Sequence, residues 1–144
     1  MKEKFFMNGI FRDTEKGPWP FYSRCKNCGA TSFPAELIMC NQCLCKELEQ
    51  LDLPTEGEVE TYAVSYRPVN MYPVPHTFGI VRFPEARLKV KGVFDLSDEY
   101  KANMKQGHEM KIGSKVDVFV DALWEDPDQD TKYIGYKFHL KEDK

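Results

Sequence analysis

Four cysteines, Cys25, Cys28, Cys40 and Cys43, form the pattern in this chain with the best defined chemistry. They fall as two C-x-x-C steps separated by eleven residues. A C-x-x-C turn aims two sulfurs at one point, and two such turns close a tetrahedron, the arrangement of a four-cysteine zinc ribbon. Gly29 follows the first step, where the turn after a metal knuckle often needs a positive φ that glycine adopts without strain. Thiolate fills all four positions, which leaves none for water or substrate. The expected zinc, one per chain, is therefore structural and not catalytic. Such a metal contributes on the order of 10–16 kcal/mol of apparent free energy, so a ribbon this short is expected to depend on it. Cys45 is left over in the run CNQCLC; it reads as a plain reduced thiol, with competition against Cys43 for the metal as the other reading. An odd cysteine count and an N-terminus without an export signal argue against a disulfide framework and point to a reducing cytoplasm.

No second constellation suggests catalysis. His76, His108 and His139 stand in separate segments. His76, in the loop VPHT, is the candidate for a substrate-side contact, against the plainer reading of a solvated loop histidine. Nucleophilic catalysis needs a cysteine beside a base, and Cys45 has no such partner in the sequence. Neither a Gly-rich phosphate loop nor a dinucleotide fingerprint is present. Arg87, Lys89 and Lys91 alternate with Leu88 and Val90, which would set three cations on one strand face. Coenzyme A phosphates suit such a patch; a solvated outer strand face is the other reading.

The elements that must position these groups divide the chain into three parts. Residues 1–24 scatter six aromatics among Gly and Pro with no helix or strand period, and Pro18 and Pro20 exclude a helix there. This reads as an aromatic arm that must pack either on the rest of the chain or on another protein. Residues 25–47 form the zinc ribbon, with short strands expected at Thr31–Pro34 and Leu37–Met39. Residues 46–56 read as a polar connector. From residue 48 to 144 the pattern is β-rich: a long first strand from Gly57, a proline-containing loop with Pro68, Pro73 and Pro75, then strands in TFGIVRF, RLKVKGVFDL, KIGSKVDVFVDALW and KYIGYKFHL. Ser97 can cap a short helix ending at Gly107, between the third and fourth strands. Five strands with that insertion is the order of an OB-fold barrel. The fold class is thus mainly β, an arm and rubredoxin-like zinc ribbon followed by a five-stranded OB-fold with one short helix.

Residues 1–47 carry seven Lys/Arg against five Asp/Glu, and residues 48–144 thirteen against eighteen. A zinc held by four thiolates adds a formal −2 to the first part, so the metal-loaded chain is acidic. Nucleic-acid binders rely on a basic stripe, and none is visible. Nor is there an apolar run of the roughly 20 residues needed to span a bilayer.

Taken together, Cys25, Cys28, Gly29, Pro34, Cys40 and Cys43, then Gly57, Val59, Tyr62 and Val64, then Ile112, Gly113 and Val116 resemble a known family over residues 20 to 140. It is the family of zinc-ribbon plus OB-fold proteins associated with acyl-CoA enzymes. Asn41 and Leu44 depart from it, since many members have Pro after the third cysteine and Gly or another small residue after the fourth. The segment 84–91 also lacks the usual short turn before the third strand. The resemblance implies a non-catalytic accessory subunit in a hetero-oligomer. A thiolase-like catalytic subunit supplies the nucleophile and acid–base groups, and the small chain supports assembly and helps enclose an acyl-CoA. The implied role closest in kind is with a thiolase (an acyltransferase) acting on a bulky aromatic 3-oxoacyl-CoA such as benzoylsuccinyl-CoA, in toluene degradation. An acyl-CoA hydratase is the alternative partner. From a different class stands an OB-fold binder of single-stranded nucleic acid using Tyr62, Tyr66, Phe78 and Phe83, disfavoured by the acidic balance.

Overall fold

A computed structural model describes residues 1–67 and 76–143. The expected loop prolines Pro68, Pro73 and Pro75 lie outside the described residues. Strands β1 (Lys2–Phe5), β2 (Phe11–Thr14), β3 (Gly17–Cys25), β4 (Thr31–Ser32) and β5 (Leu48–Asp52) come first, followed by β6 (Glu56–Ser65), β7 (His76–Phe83) and β8 (Leu88–Phe94). Helix α1 (Asp98–Lys105) precedes β9 (Lys115–Asp126) and β10 (Thr131–Leu140).

The last five strands close a barrel in the order β6-β7-β8-β10-β9, with β9 returning to β6 through Glu56–Glu58. All neighbours are antiparallel except β8 and β10, which run parallel. This is the expected OB-fold barrel, with α1 between its third and fourth strands. Alternation explains the closure. On β7 every second residue from Thr77 to Phe83 turns inward, and Val59, Val81, Val90, Val116, Phe138 and Leu140 fill the interior at 1% exposure or less. Ser97 caps α1 by accepting from the Tyr100 N–H, and Asp143 in turn accepts from the Ser97 N–H and hydroxyl at 2.7 and 2.6 Å.

A strict period of two through β6 would keep odd residues inward from Val59 to Ser65. Instead a bulge at Glu60 shifts the register, so Thr61 and Ala63 are exposed while Tyr62 and Val64 are half-buried. Gly79 faces the bulge, where a Cβ would meet the Thr61 carbonyl and lie 2.7 Å from the Tyr62 Cα, so the crossing tolerates no side chain.

Residues 1–24, which show no strand period in the sequence, form three strands. β1 adds to the barrel, parallel to β10, and β2–β3 is a hairpin. The missing period has a physical cause: Phe21, Tyr22 and Ser23 are consecutive and all buried, because the strand is covered on both faces. The segment read as a polar connector contains β5, which pairs with β3 from Phe21↔Asp52 to Cys25↔Leu48. β4 takes the other edge of β3 at Ser23 and Arg24. Leu37–Met39 runs as a bend leading into Cys40 and not as the strand expected from sequence.

Candidate metal centre and outer barrel face

β3 delivers Cys25 directly from the sheet, and the two knuckles follow the same backbone plan. The Gly29 N–H donates to the Cys25 carbonyl and the Leu44 N–H to the Cys40 carbonyl, both at 2.9 Å. The residue closing each knuckle is left-handed, Gly29 at φ +78° and Leu44 at φ +64°. The four sulfurs lie within 4.8 Å of one another, with Cys25–Cys43 and Cys28–Cys40 both at 3.6 Å. A tetrahedral zinc with bonds of about 2.3 Å needs sulfur–sulfur edges of about 3.8 Å, so the cluster fits that ion. Cys25 and Cys40 are buried, whereas Cys28 and Cys43 reach the surface.

N–H donors already surround the sulfurs. The Cys28 N–H points to Cys25 Sγ at 3.5 Å, the Gln42 N–H to Cys40 Sγ at 3.3 Å, and Asn27 Nδ2 to Cys43 Sγ at 3.6 Å. Without metal the thiols differ. The Cys45 backbone and the Asn27 amide pull Cys43 down to about 6. The Ala30 backbone favours the Cys28 thiolate, but desolvation and the sulfurs of Cys40, Cys43 and Cys25 hold that thiol up at about 12. Ion binding would displace the protons that the thiols carry.

The other sequence candidates are not gathered into one site. Arg87 is not on the strand with Lys89 and Lys91. It follows the 3₁₀ turn Pro84–Ala86 in a left-handed conformation, φ +52°, and its carbonyl accepts from the Thr31 hydroxyl of the ribbon at 2.9 Å. Lys89 and Lys91 do share the outer face of β8, but Lys89 is paired with Glu60 at 2.8 Å. Arg82, one strand over, is paired with Glu58 at 3.0 Å. His76 opens β7 and stacks on Phe78, with 5.5 Å between centroids; desolvation and then Lys101 lower its pKa. His108 is exposed, and His139 Nδ1 lies 3.2 Å from the Asp95 carbonyl.

No family model matches the chain. A DUF35 domain-containing scaffold protein of Methanocaldococcus jannaschii is 30% identical to it over 118 residues, covering 80% of this chain and 77% of that protein. The chain belongs to the DUF35 family. Benzoylsuccinyl-CoA thiolase subunit BbsA of Geobacter metallireducens is 31% identical over 83 residues, 56% of each chain, so this DUF35 chain spans just over half of that subunit. A solved Ltp2-ChsH2(DUF35) aldolase chain superposes with a TM-score of 0.61 over 85% of this chain and 84% of that one; at 16% identity the likeness is one of fold.

Of the four aromatics that an OB-fold nucleic-acid platform would use, this DUF35 chain commits two elsewhere. Phe83 is in the core at 1% exposure, and the Tyr62 hydroxyl accepts from the Met110 N–H at 3.0 Å. What the sequence reading missed is the exposed apolar segment Leu37–Met39. Its signal was present, since three consecutive apolar residues stand beside a metal ligand.

Proposed function

We propose that this DUF35 chain is a non-catalytic accessory subunit that assembles with a thiolase-type catalytic chain. The observation that carries the reading is the character of its one clustered set. Among the described residues, the grouping of three or more His, Cys, Asp or Glu side chains able to hold a metal is the four-cysteine cluster, and its geometry is closed. A zinc there stiffens the ribbon and leaves no coordination position for substrate. Its relatives include one protein described as a scaffold and another described as a thiolase subunit. On this reading the catalytic chain supplies nucleophile and acid–base groups, and the DUF35 chain supports assembly and helps enclose the acyl-CoA.

A bulky aromatic 3-oxoacyl-CoA of the benzoylsuccinyl-CoA kind is the proposed substrate class, with the BbsA similarity as its support. Arg87 and Lys91, together with Lys89 released from Glu60, are proposed to meet CoA phosphates, and His76 to face the substrate. We place the complex in the cytoplasm without nucleic-acid or membrane partners. Among the described residues no helix is long and apolar enough to cross a membrane.

The test is mild purification of the tagged chain from its native cells, with mass spectrometry and zinc analysis on one sample. A thiolase-type chain in near-equal amount, about one zinc per small subunit, and CoA-dependent cleavage of an aromatic 3-oxoacyl-CoA by the pair are expected. Recovery alone, or with nucleic acid in a salt-dependent complex, overturns the reading.

A further inference from the structure

The two C-x-x-C knuckles share one plan and differ at one contact. Each sulfur meets a backbone donor. The Cys28 N–H faces Cys25 Sγ at 3.5 Å, the Gln42 N–H faces Cys40 Sγ at 3.3 Å, and the Ala30 and Cys45 backbones face the Cys28 and Cys43 thiols. Donors of this kind follow from the turn itself, whatever side chains it carries. Cys43 has one donor more. Asn27 Nδ2 lies 3.6 Å from its Sγ, and Asn27 belongs to the opposite knuckle, 16 positions away. Gln42 holds the equivalent place in the second knuckle, directly before its second cysteine, and also carries an amide. Among the described residues, however, Gln42 meets a sulfur through its backbone N–H alone. The difference starts next to Asn27. The Lys26 N–H donates to the Glu47 carbonyl at 3.0 Å, which ties the first knuckle to the chain leaving the second and brings Asn27 beside Cys43.

We infer that Asn27 is a positioning residue for the metal: its amide holds the Cys43 sulfur in the ligand set and joins one knuckle to the other, which strengthens the ribbon's grip on zinc. A ligating thiolate carries no proton and can only accept, so the NH₂ edge of the amide is the edge that faces it. Four thiolates around one divalent ion leave excess negative charge, and a donor aimed at one sulfur offsets part of it and fixes that sulfur's direction. The contact matters at Cys43 because this ligand reaches the surface, where water and protons compete for the sulfur. Cys28 is exposed as well, and its sulfur is joined to the other knuckle only by its approach to Cys40 Sγ at 3.6 Å. The inference concerns the metal alone and holds whichever chain the ribbon meets.

The experiment measures the zinc dissociation constant of the full chain by competition with a chromophoric chelator at fixed pH. It is repeated with cobalt, whose thiolate charge-transfer absorption reports the electron density on sulfur. Variants are Asn27→Ala, Asn27→Asp, Asn27→Gln and, at the equivalent place, Gln42→Ala. Asn27→Ala is expected to bind zinc at least about tenfold more weakly and to move the cobalt band to longer wavelength, since a sulfur without its donor gives up electron density more readily. Asn27→Asp keeps the shape but can only accept, and is expected to lose at least as much. Asn27→Gln restores the amide and should recover part of the loss, while Gln42→Ala should bind like the wild type. If Asn27→Ala fails to assemble the cobalt site, Asn27→Gln against Asn27→Asp decides the matter, and equal loss in both overturns the inference. Wild-type affinity in Asn27→Ala overturns it, as does wild-type affinity in Asn27→Asp, which would show a side chain that only fills space. An equal loss in Gln42→Ala assigns the effect to the knuckle turns in general and overturns it too.

Discussion

The Phe33 ring stands edge-on to Tyr136, with 5.6 Å between centroids and 80° between planes. Phe33 belongs to the ribbon and Tyr136 to the last barrel strand, so this pair is a joint between the two. Tyr136 also meets Phe6 at 5.9 Å, and its hydroxyl donates to the Lys91 carbonyl at 2.6 Å. N-terminal segment, ribbon and barrel thus converge on one ring.

Tyr136→Phe is expected to keep the packing and leave the Lys91 carbonyl without that donor, a loss of about 1–2 kcal/mol. Phe33→Ala is expected to remove the edge contact and part of its apolar burial, a loss of about 2–4 kcal/mol. Urea denaturation of the zinc-loaded protein checks both. Equal stability of wild type and Tyr136→Phe would show that the hydroxyl does not hold the joint.

Zinc removal is expected to act locally first. A chelator at neutral pH should abolish amide protection across residues 25–47, while β7 and β8 exchange slowly under the same conditions. Hydrogen exchange with mass spectrometry reads both regions at once. Undiminished protection of 25–47 after complete metal removal would show that the ribbon stands without its ion.

Leu44 occupies the left-handed position that Gly29 fills in the other knuckle. Left-handed backbone costs a side-chain-bearing residue roughly 1–2 kcal/mol, and the exposed Leu44 gains little from burial in return. Leu44→Gly is therefore expected to raise stability by up to about 1 kcal/mol once glycine's greater unfolded-state freedom is deducted. A lower denaturation midpoint for Leu44→Gly, at saturating zinc, would contradict the strain account.

Glu58 accepts from Lys115 at 2.6 Å and from Arg82 at 3.0 Å. Lys115 and then Arg82 lower its pKa below the ordinary value. A carboxyl depressed in the folded state adds stability that is present above its unfolded pKa of about 4.3 and lost as pH falls through the lower folded value. Wild type should therefore exceed Glu58→Gln in melting temperature at pH 7, and the gap should close below about pH 4. Metal loss in acid affects both proteins alike, so the difference between them is the quantity to follow. A gap that stays constant with pH refutes the ion-pair origin.

The barrel and the metal cluster were legible in the sequence for different reasons. The cluster was legible because coordination geometry demands a fixed spacing, which chance seldom supplies. β7 was legible because it has one wet and one dry face, so its residues alternate. β3 was hidden for the converse reason: Phe21, Tyr22 and Ser23 are buried in succession, and a strand covered on both sides has no period to read. β5 was hidden because Leu48–Asp52 is mostly polar and owes its structure to backbone pairing with β3. The bulge at Glu60 could not be read either, because it depends on the approach of Gly79 from another strand. The cation trio illustrates a further limit. Alternation placed Lys89 and Lys91 together, but only the folded chain shows Arg87 turned away in left-handed backbone and Lys89 already held by Glu60.

The pairing of β1 with β10 joins Lys2 to Thr131 and Phe5 to Ile134, almost the full chain apart. During synthesis the first strand emerges long before its neighbour exists, and it must wait, unpaired, until the final strand leaves the ribosome. The cysteines, by contrast, are all available once the first third of the chain is made. The ribbon can therefore capture its ion early, while barrel closure and the seating of β1 wait for the last strand. Long-range pairing of this kind is slow, and in the interval the apolar N-terminal segment faces solvent.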